Sequence, residues 1–361
     1  MDAITARIHR AGPIDFAEFM ELALYSDSGF YGGGGGPGRR GADFLTSPEI
    51  GPLFGAVVAN ALDRWWTKLD QPDPFVVVEA GAGRGVLAAS ILGAQPACAP
   101  ALRYVMAERA APARAAASDV LAITPAAVAL AGEGHGGGPI VTVLDDLPTG
   151  PFVGVIVANE LLDNLPVRLL ERTVEGWAEV LVGLDESETV FVEVLVPADD
   201  DAAARATALT RDPPSGARVP LHDAAIAWLA RARRSLEGGR VVAFDYGVHR
   251  TDELTQRDWS DWLRTYQAQG RGGAPLARAG EQDVTCEVAF DQLAPDSLTP
   301  QADWLAAHGI ASLVDEARAT WTERAAIGDL VALKARSRVG EADALLDEEG
   351  LGAFLVAEWI V

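Results

Sequence analysis

Cysteine is nearly absent: the 361-residue chain has two, Cys98 and Cys286, far apart and outside any CxxC pattern. That spacing excludes a disulfide framework and leaves no cysteine-based metal site. The five histidines are scattered, without HxxxH or HExxH spacing, so no zinc site can be argued from them. No uncharged apolar run approaches the ~20 residues that a membrane helix needs. Asp2, Arg7, His9 and Arg10 break up the N-terminus before a secretory apolar stretch can form. The expectation is a soluble, cytoplasmic protein without membrane insertion. Positive charge is also scarce, with 29 Lys and Arg against 52 Asp and Glu and a formal net charge of −23. Such a surface repels a nucleic-acid backbone, and no basic run overrides the repulsion. The acidic shell serves solubility, and a preference for a cationic substrate is its functional alternative.

Against these absences, 49% of residues are apolar and 22% charged, the balance of a globular chain. The first 70 residues read as helical. Ser47 as N-cap and Pro48 at the first helical position precede Ile50, Leu53, Phe54, Val57, Val58, Ala61, Leu62, Trp65 and Trp66, an amphipathic helical period. The glycine-rich stretch Gly32 to Gly38 suits no regular element and predicts a mobile loop. From Phe75 the texture changes to βαβ units. "FVVVEA", "RYVMAE" (103–108), "PIVTVL" (139–144), "VGVIVANE" (153–160) and "RVVAFDYG" (240–247) read as strands of a mainly parallel sheet, and "LGAFLVAEWIV" as a C-terminal one. The expected architecture is α/β and doubly wound. A helical cap spans 1–72 and a catalytic domain 73–361, with an inserted α+β lobe at about 167–238. Within the lobe, "WAEVLVGL" and "TVFVEVLVP" predict a hairpin and "DAAIAWLARARRSL" a helix.

The strongest local signal is Glu79-Ala80-Gly81-Ala82-Gly83-Arg84-Gly85 at a strand end. Glycines let the backbone turn sharply and approach a ligand, and the following helix offers free N–H groups. Dinucleotide enzymes use such turns too, and a plain strand–helix turn is the other alternative. Two details favour S-adenosylmethionine. Val86 stands where the dinucleotide fingerprint wants its third glycine. Glu79, two places before the first glycine, suits the cofactor's methionine ammonium and would repel a pyrophosphate. Glu108, at the tip of the second strand, is placed to accept ribose hydroxyls, unless it is an ordinary exposed glutamate. Asp145 and Asp146 follow the third strand, where an acid can meet the adenine amino group or simply shape a turn. Asn159, Glu160 and Asp163 leave the fourth strand at its carboxyl end, where ligands bind in open α/β sheets. Glu160 and Asp163 are three apart and would project together on a helical turn, holding a guanidinium by paired hydrogen bonds. Helix capping by Asn159 with acids in a first turn is the alternative.

These stretches resemble the MidA-like methyltransferase family, whose members include a mitochondrial complex I assembly-factor arginine methyltransferase. The resemblance runs in order through "DFAEFMELALYSDSGFY", "ADFLTSPEIGPLFG", "EAGAGRGVLAASIL", "ANELLDNLPV", "FDYG", "AGEQDVT" and "TPQADWLAAHGI". It implies a seven-stranded Rossmann-like methyltransferase core, S-adenosylmethionine as cofactor, and a protein partner methylated on arginine, with a respiratory-complex subunit as one candidate. By position, Glu79, Gly81, Gly83 and Glu108 match the family's cofactor motif, and Thr46, Ser47, Glu49 and Asn159–Asp163 match stretches that line the cleft. The chain departs from the pattern at Ala82, at Val86 and in "DWLRTYQAQGRGGAP" after "FDYG", expected to be a loop. A small-molecule methyltransferase and a cofactor-binding assembly factor with little turnover are the rival expectations.

Overall fold

The computed structural model describes residues 2–35, 46–131, 137–267 and 270–361. The expected loop from Gly32 is therefore seen only to Gly35, in successive turns, and Gly36–Gly38 lie outside the described residues. The chain divides into two compact units, each discontinuous in sequence.

One unit comprises Leu45–Glu160, Ala232–Asp245 and Asp296–Val361. Its centre is a seven-stranded sheet: β1 Phe75–Ala80, β2 Leu102–Ala107, β3 Ile140–Leu144, β4 Phe152–Asn159, β5 Leu236–Asp245, β6 Ser297–Pro300 and β7 Leu355–Ile360. The spatial order is β6-β7-β5-β4-β1-β2-β3. The five strands from β5 to β3 run parallel, and β7 enters antiparallel to β5. All six residues of β1 are buried, as expected for a β-branched strand covered on both faces. Chain order reverses between β1 and β4, which creates the crevice where such sheets take ligands.

Register places the functional residues. Ala80 lies beside Ala107 and Ala158, Ala107 beside Leu144, and Asn159 beside Phe244, so five carboxyl ends open on one rim. Glu79 is paired with Val157, and side chains alternate along a strand, so Glu79 and Asn159 share a face. That face is covered by helices Pro52–Lys68 and Val86–Gly93, whose Phe54, Val57, Leu87 and Ile91 pack in one core with Val77, Tyr104, Val157 and Phe244.

The single helix expected after Ser47 is two. A short helix, Ser47–Ile50, has Thr46 rather than Ser47 as its N-cap, and a second runs from Pro52 to Lys68. Pro52 lacks an N–H and disfavours helical backbone at Gly51, which breaks the run. Buried Glu341 accepts the Leu53 N–H at 2.9 Å and starts the second helix. The apolar period holds in phase across the break: Leu53, Phe54, Val57, Val58, Ala61, Leu62 and Trp65 are all buried.

The other unit comprises Met1–Phe44, Leu161–Arg231 and Tyr246–Pro295. The expected hairpin is present as Gly176–Leu184 paired antiparallel with Phe191–Pro197, and the expected helix as Asp223–Arg234. Arg168–Thr173, Arg218–Leu221 and the two-residue strand Ile14–Asp15 complete a five-stranded sheet. Helices Asp2–Ala11 and Phe16–Tyr25 share one core with it, joining Ile4, Phe16, Phe19 and Leu24 to Leu169, Val180 and Val182. The "DWLRTYQ" stretch is not a plain loop. Trp262 is fully buried and Leu263–Gln267 pairs antiparallel with Asp283–Cys286, because alternating Leu263 and Thr265 face the core.

Candidate active site

The glycine turn after β1 has the backbone that its composition requires. Gly81, Gly83 and Gly85 have φ of +70°, +54° and +86°, the left-handed region that L side chains avoid. At Gly85 a Cβ would also lie 2.8 Å from Met106 Sδ, so that buried side chain would have to shift. Beside Gly83 there is open space among the described residues, with none of them within 4 Å of a Cβ position, so a ligand can reach the backbone there. The turn is anchored by the Gly81 N–H to Ala107 O at 2.8 Å and the Gly85 N–H to Ala82 O at 2.9 Å.

Glu79 is buried beneath this turn and accepts the Tyr104 hydroxyl at 2.7 Å. Burial pushes its carboxyl up to about 8, against the opposing pull of Tyr104 and the Ala88 N–H and with a small push from Glu108. Glu108 leaves the end of β2 and accepts the Gly83 N–H at 2.8 Å and the Ala110 N–H at 2.6 Å. Burial raises its carboxyl as well, while those two N–H groups and Arg114 oppose the shift. It is not the ordinary exposed glutamate of the alternative reading. Asp145 and Asp146 follow β3 and are exposed, with Asp146 accepting the Leu147 N–H at 2.8 Å.

At the end of β4, Asn159 Nδ2 donates to Glu160 Oε1 at 3.2 Å, and the Ser47 N–H approaches the same oxygen at 3.4 Å. Asn159 Oδ1 is buried with no hydrogen-bond partner among the described residues. Glu160 has φ +48°, while its N–H is held by Phe244 O at 2.8 Å. Left-handed backbone at a glutamate costs about 1–3 kcal/mol and persists only where its surroundings enforce it. Thr46 and Ser47 are buried, and the Ser47 hydroxyl donates to Gln301 Oε1 at 3.2 Å. Half-buried Glu49 has its carboxyl raised by burial, with Arg84 opposing.

The helical turn expected to carry Glu160 and Asp163 together does not form. Left-handed Glu160 cannot enter a right-handed helix, and only Leu162–Asn164 make a 3₁₀ turn. Asp163 belongs to the other unit, where it is buried and accepts the Tyr246 hydroxyl at 2.7 Å. Burial raises its carboxyl to about 6, with that hydroxyl opposing. Beside it in that unit, Tyr31 donates to Asn164 Oδ1 at 2.9 Å and Asp283 Oδ2 at 3.1 Å. Tyr104, Gln301 and buried Asp245 at the end of β5 were not singled out from sequence. Only the "FDYG" and "TPQADWLAAHGI" stretches pointed toward the last two.

A parallel sheet with this strand order, a glycine turn after β1 and acids on the neighbouring strand tips define the class of α/β methyltransferases. Comparison with known proteins agrees. The family of S-adenosyl-L-methionine-dependent methyltransferases matches residues 57–305, and the chain belongs to it. The mitochondrial protein arginine methyltransferase NDUFAF7 homolog of Drosophila melanogaster is 29% identical over 311 residues, covering 80% of this chain and 67% of its own. Human NDUFAF7, a mitochondrial protein arginine methyltransferase, is 28% identical over 306 residues, covering 80% and 66%. A Burkholderia thailandensis protein solved with S-adenosyl-homocysteine superposes with a TM-score of 0.80 at 28% identity, over 100% of this chain and 91% of that one. The protein is a methyltransferase that uses S-adenosylmethionine.

The residues present fit that cofactor. Open backbone at Gly83, buried Glu79 and partly buried Glu108 suit a ligand carrying an ammonium and ribose hydroxyls. Among the described residues no cluster of three metal-ligating side chains occurs, and no helix is long and apolar enough to cross a membrane.

Proposed function

We propose that the enzyme methylates an arginine side chain of a protein partner. The observation that carries this reading is the end of β4. Glu160 sits in costly left-handed backbone beside Asn159, whose buried Oδ1 has no donor among the described residues. A strained acid beside an unmet acceptor suits a group rich in donors and without acceptors, and a guanidinium is that group. The acidic chain favours approach of a cationic segment. The arginine methyltransferases among the relatives support the same substrate class.

When bound, S-adenosylmethionine supplies the electrophilic methyl group. Glu79, the Gly81–Gly85 turn and Glu108 would hold its amino-acid and ribose parts, with Asp145 or Asp146 at the adenine. Thr46 and Ser47 would close the cleft. Glu160 would orient the acceptor nitrogen and localise the guanidinium charge, which otherwise depletes the nitrogen lone pair. Asp163 remains a second candidate carboxylate by its place in the sequence. A respiratory-complex subunit is the first partner to try, and a cytoplasmic location is part of the same proposal, to be checked by cell fractionation.

The test is methyl transfer from labelled S-adenosylmethionine into cell extract, read by mass spectrometry, followed by single-turnover kinetics on the labelled polypeptide. Glu160→Gln should bind cofactor within a few-fold of wild type yet lose at least ~100-fold in transfer, as for one oriented charged contact at a reacting centre. Label appearing only in small metabolites, or normal turnover by both Glu160→Gln and Asp163→Asn, would refute the guanidinium reading.

A further inference from the structure

The Glu79 carboxylate has a partner that the glycine motif does not account for. Tyr104 lies on β2, beside Val77 of β1, so alternation puts its side chain on the sheet face that carries Glu79. The ring is fully buried in the core under helices Pro52–Lys68 and Val86–Gly93. A buried tyrosine needs a partner for its hydroxyl, and this one donates to Glu79 Oε2 at 2.7 Å. The Ala88 N–H, in the first turn of the helix after the glycines, also favours the ionised form of that carboxyl. Glu79 is thus held from the neighbouring strand.

Packing alone does not require this pair. A phenylalanine on β2 would fill the same volume, and an apolar residue at 79 would end the buried run of β1 without the cost of desolvating a carboxyl. A buried acid kept at that cost, with one oriented hydroxyl, is arranged for a cation that arrives later. We propose that Tyr104 is a positioning residue for the cofactor, fixing the Glu79 carboxylate for the α-amino group of S-adenosylmethionine. The proposal rests on the reading that Glu79 meets that ammonium.

The groups facing Glu79 make the consequence specific. Tyr104 and the Ala88 N–H favour its ionised form, while burial and nearby Glu108 oppose it. The carboxylate is the form that pairs with an ammonium, so cofactor affinity should rise with pH up to about 8 in the wild type. Removing the Tyr104 hydroxyl withdraws a bond to the ionised form, so the rise should move to higher pH. A tyrosine that merely filled space would leave the profile in place.

The experiment is calorimetric titration between pH 6 and 8.5 with two ligands, on wild type, Tyr104→Phe and Glu79→Gln. S-adenosylhomocysteine carries the α-amino group; 5′-methylthioadenosine keeps the nucleoside and lacks the amino-acid portion. Tyr104→Phe should weaken S-adenosylhomocysteine about tenfold at neutral pH and leave methylthioadenosine within about twofold, with the affinity rise displaced to higher pH. Glu79→Gln should show the same ligand selectivity and lose the pH dependence. If Glu79→Gln is selective but Tyr104→Phe weakens both ligands alike or neither, the role of Tyr104 is overturned while the Glu79 reading stands. If Glu79→Gln weakens both ligands equally, the Glu79 reading itself falls and the proposal with it.

Discussion

Gly83 and Gly85 share a motif and a left-handed backbone, yet alanine at each should fail in a different way. At φ +86° an alanine at 85 pays about 1–2 kcal/mol for the left-handed region. Its Cβ would also lie 2.8 Å from Met106 Sδ, and forcing a methyl into a packed site adds about 1–3 kcal/mol. Gly85→Ala should therefore lose roughly 2–5 kcal/mol. At 83 the φ of +54° carries the same backbone cost, but the Cβ meets none of the described residues within 4 Å, so the loss should stay at about 1–2 kcal/mol. The order reverses for function. The space beside Gly83 is where a ligand approaches the turn, so Gly83→Ala should cost at least ~tenfold in S-adenosylmethionine affinity while remaining well folded. Urea unfolding followed by tryptophan fluorescence gives the stabilities, and calorimetry gives the affinities. Equal stability losses would refute the packing argument. Wild-type cofactor affinity in Gly83→Ala would refute the placement of the ligand over this turn.

The remaining predictions concern the unit built on the inserted strands. His222 is fully buried, accepts the Ala289 N–H on Nε2 at 3.1 Å, and has no partner for Nδ1 among the described residues. Burial pushes its pKa down to about 4, with Asp223 opposing. The unfolded chain takes up this proton near pH 6.5, so the stabilisation is fully present above that value and is lost as pH falls to about 4. The loss is on the order of 3 kcal/mol, and unfolding midpoints of wild type and His222→Gln against pH should diverge within that window; parallel curves would count against it. Arg218, 5% exposed, bonds Glu171 at 2.9 Å and Glu193 at 2.5 Å and stacks over Trp259 at 4.2 Å. Arg218→Ala leaves two partly buried carboxylates unpaired and should cost about 3–5 kcal/mol, whereas a loss below 1 kcal/mol in urea titration would mark the cluster as solvent-screened.

Local chemistry made much of the sheet unit legible. A six-residue β-branched run can satisfy its backbone only inside a sheet, and "GAGRG" after it can only turn. The acids at strand ends followed, because a parallel sheet delivers every carboxyl end to the same rim. Glu79, Glu108 and Asn159 accordingly lie at or just past strand ends, where the sequence pattern puts them. Spacing misled where backbone conformation, not period, decided the outcome. Glu160 and Asp163 are three apart, but a left-handed Glu160 held by Phe244 O ends the strand without starting a helix. The Ser47 helix broke because Pro52 acts on the residue before it, an effect that an apolar period passes over.

What the sequence determined by itself is the βαβ run from Phe75 to Asp245, the glycine turn and the class of cofactor, since each depends on neighbours within a few residues. Only the tertiary structure decided the rest. Tyr104 carries no motif, and its hydroxyl finds Glu79 solely because β2 pairs beside β1 in a given register. Residues 2–25 bury their apolar faces against strands that arrive more than a hundred residues later. Apolar surface seeks any complementary face and is indifferent to chain distance, so which partner it finds is settled only when the whole chain has folded.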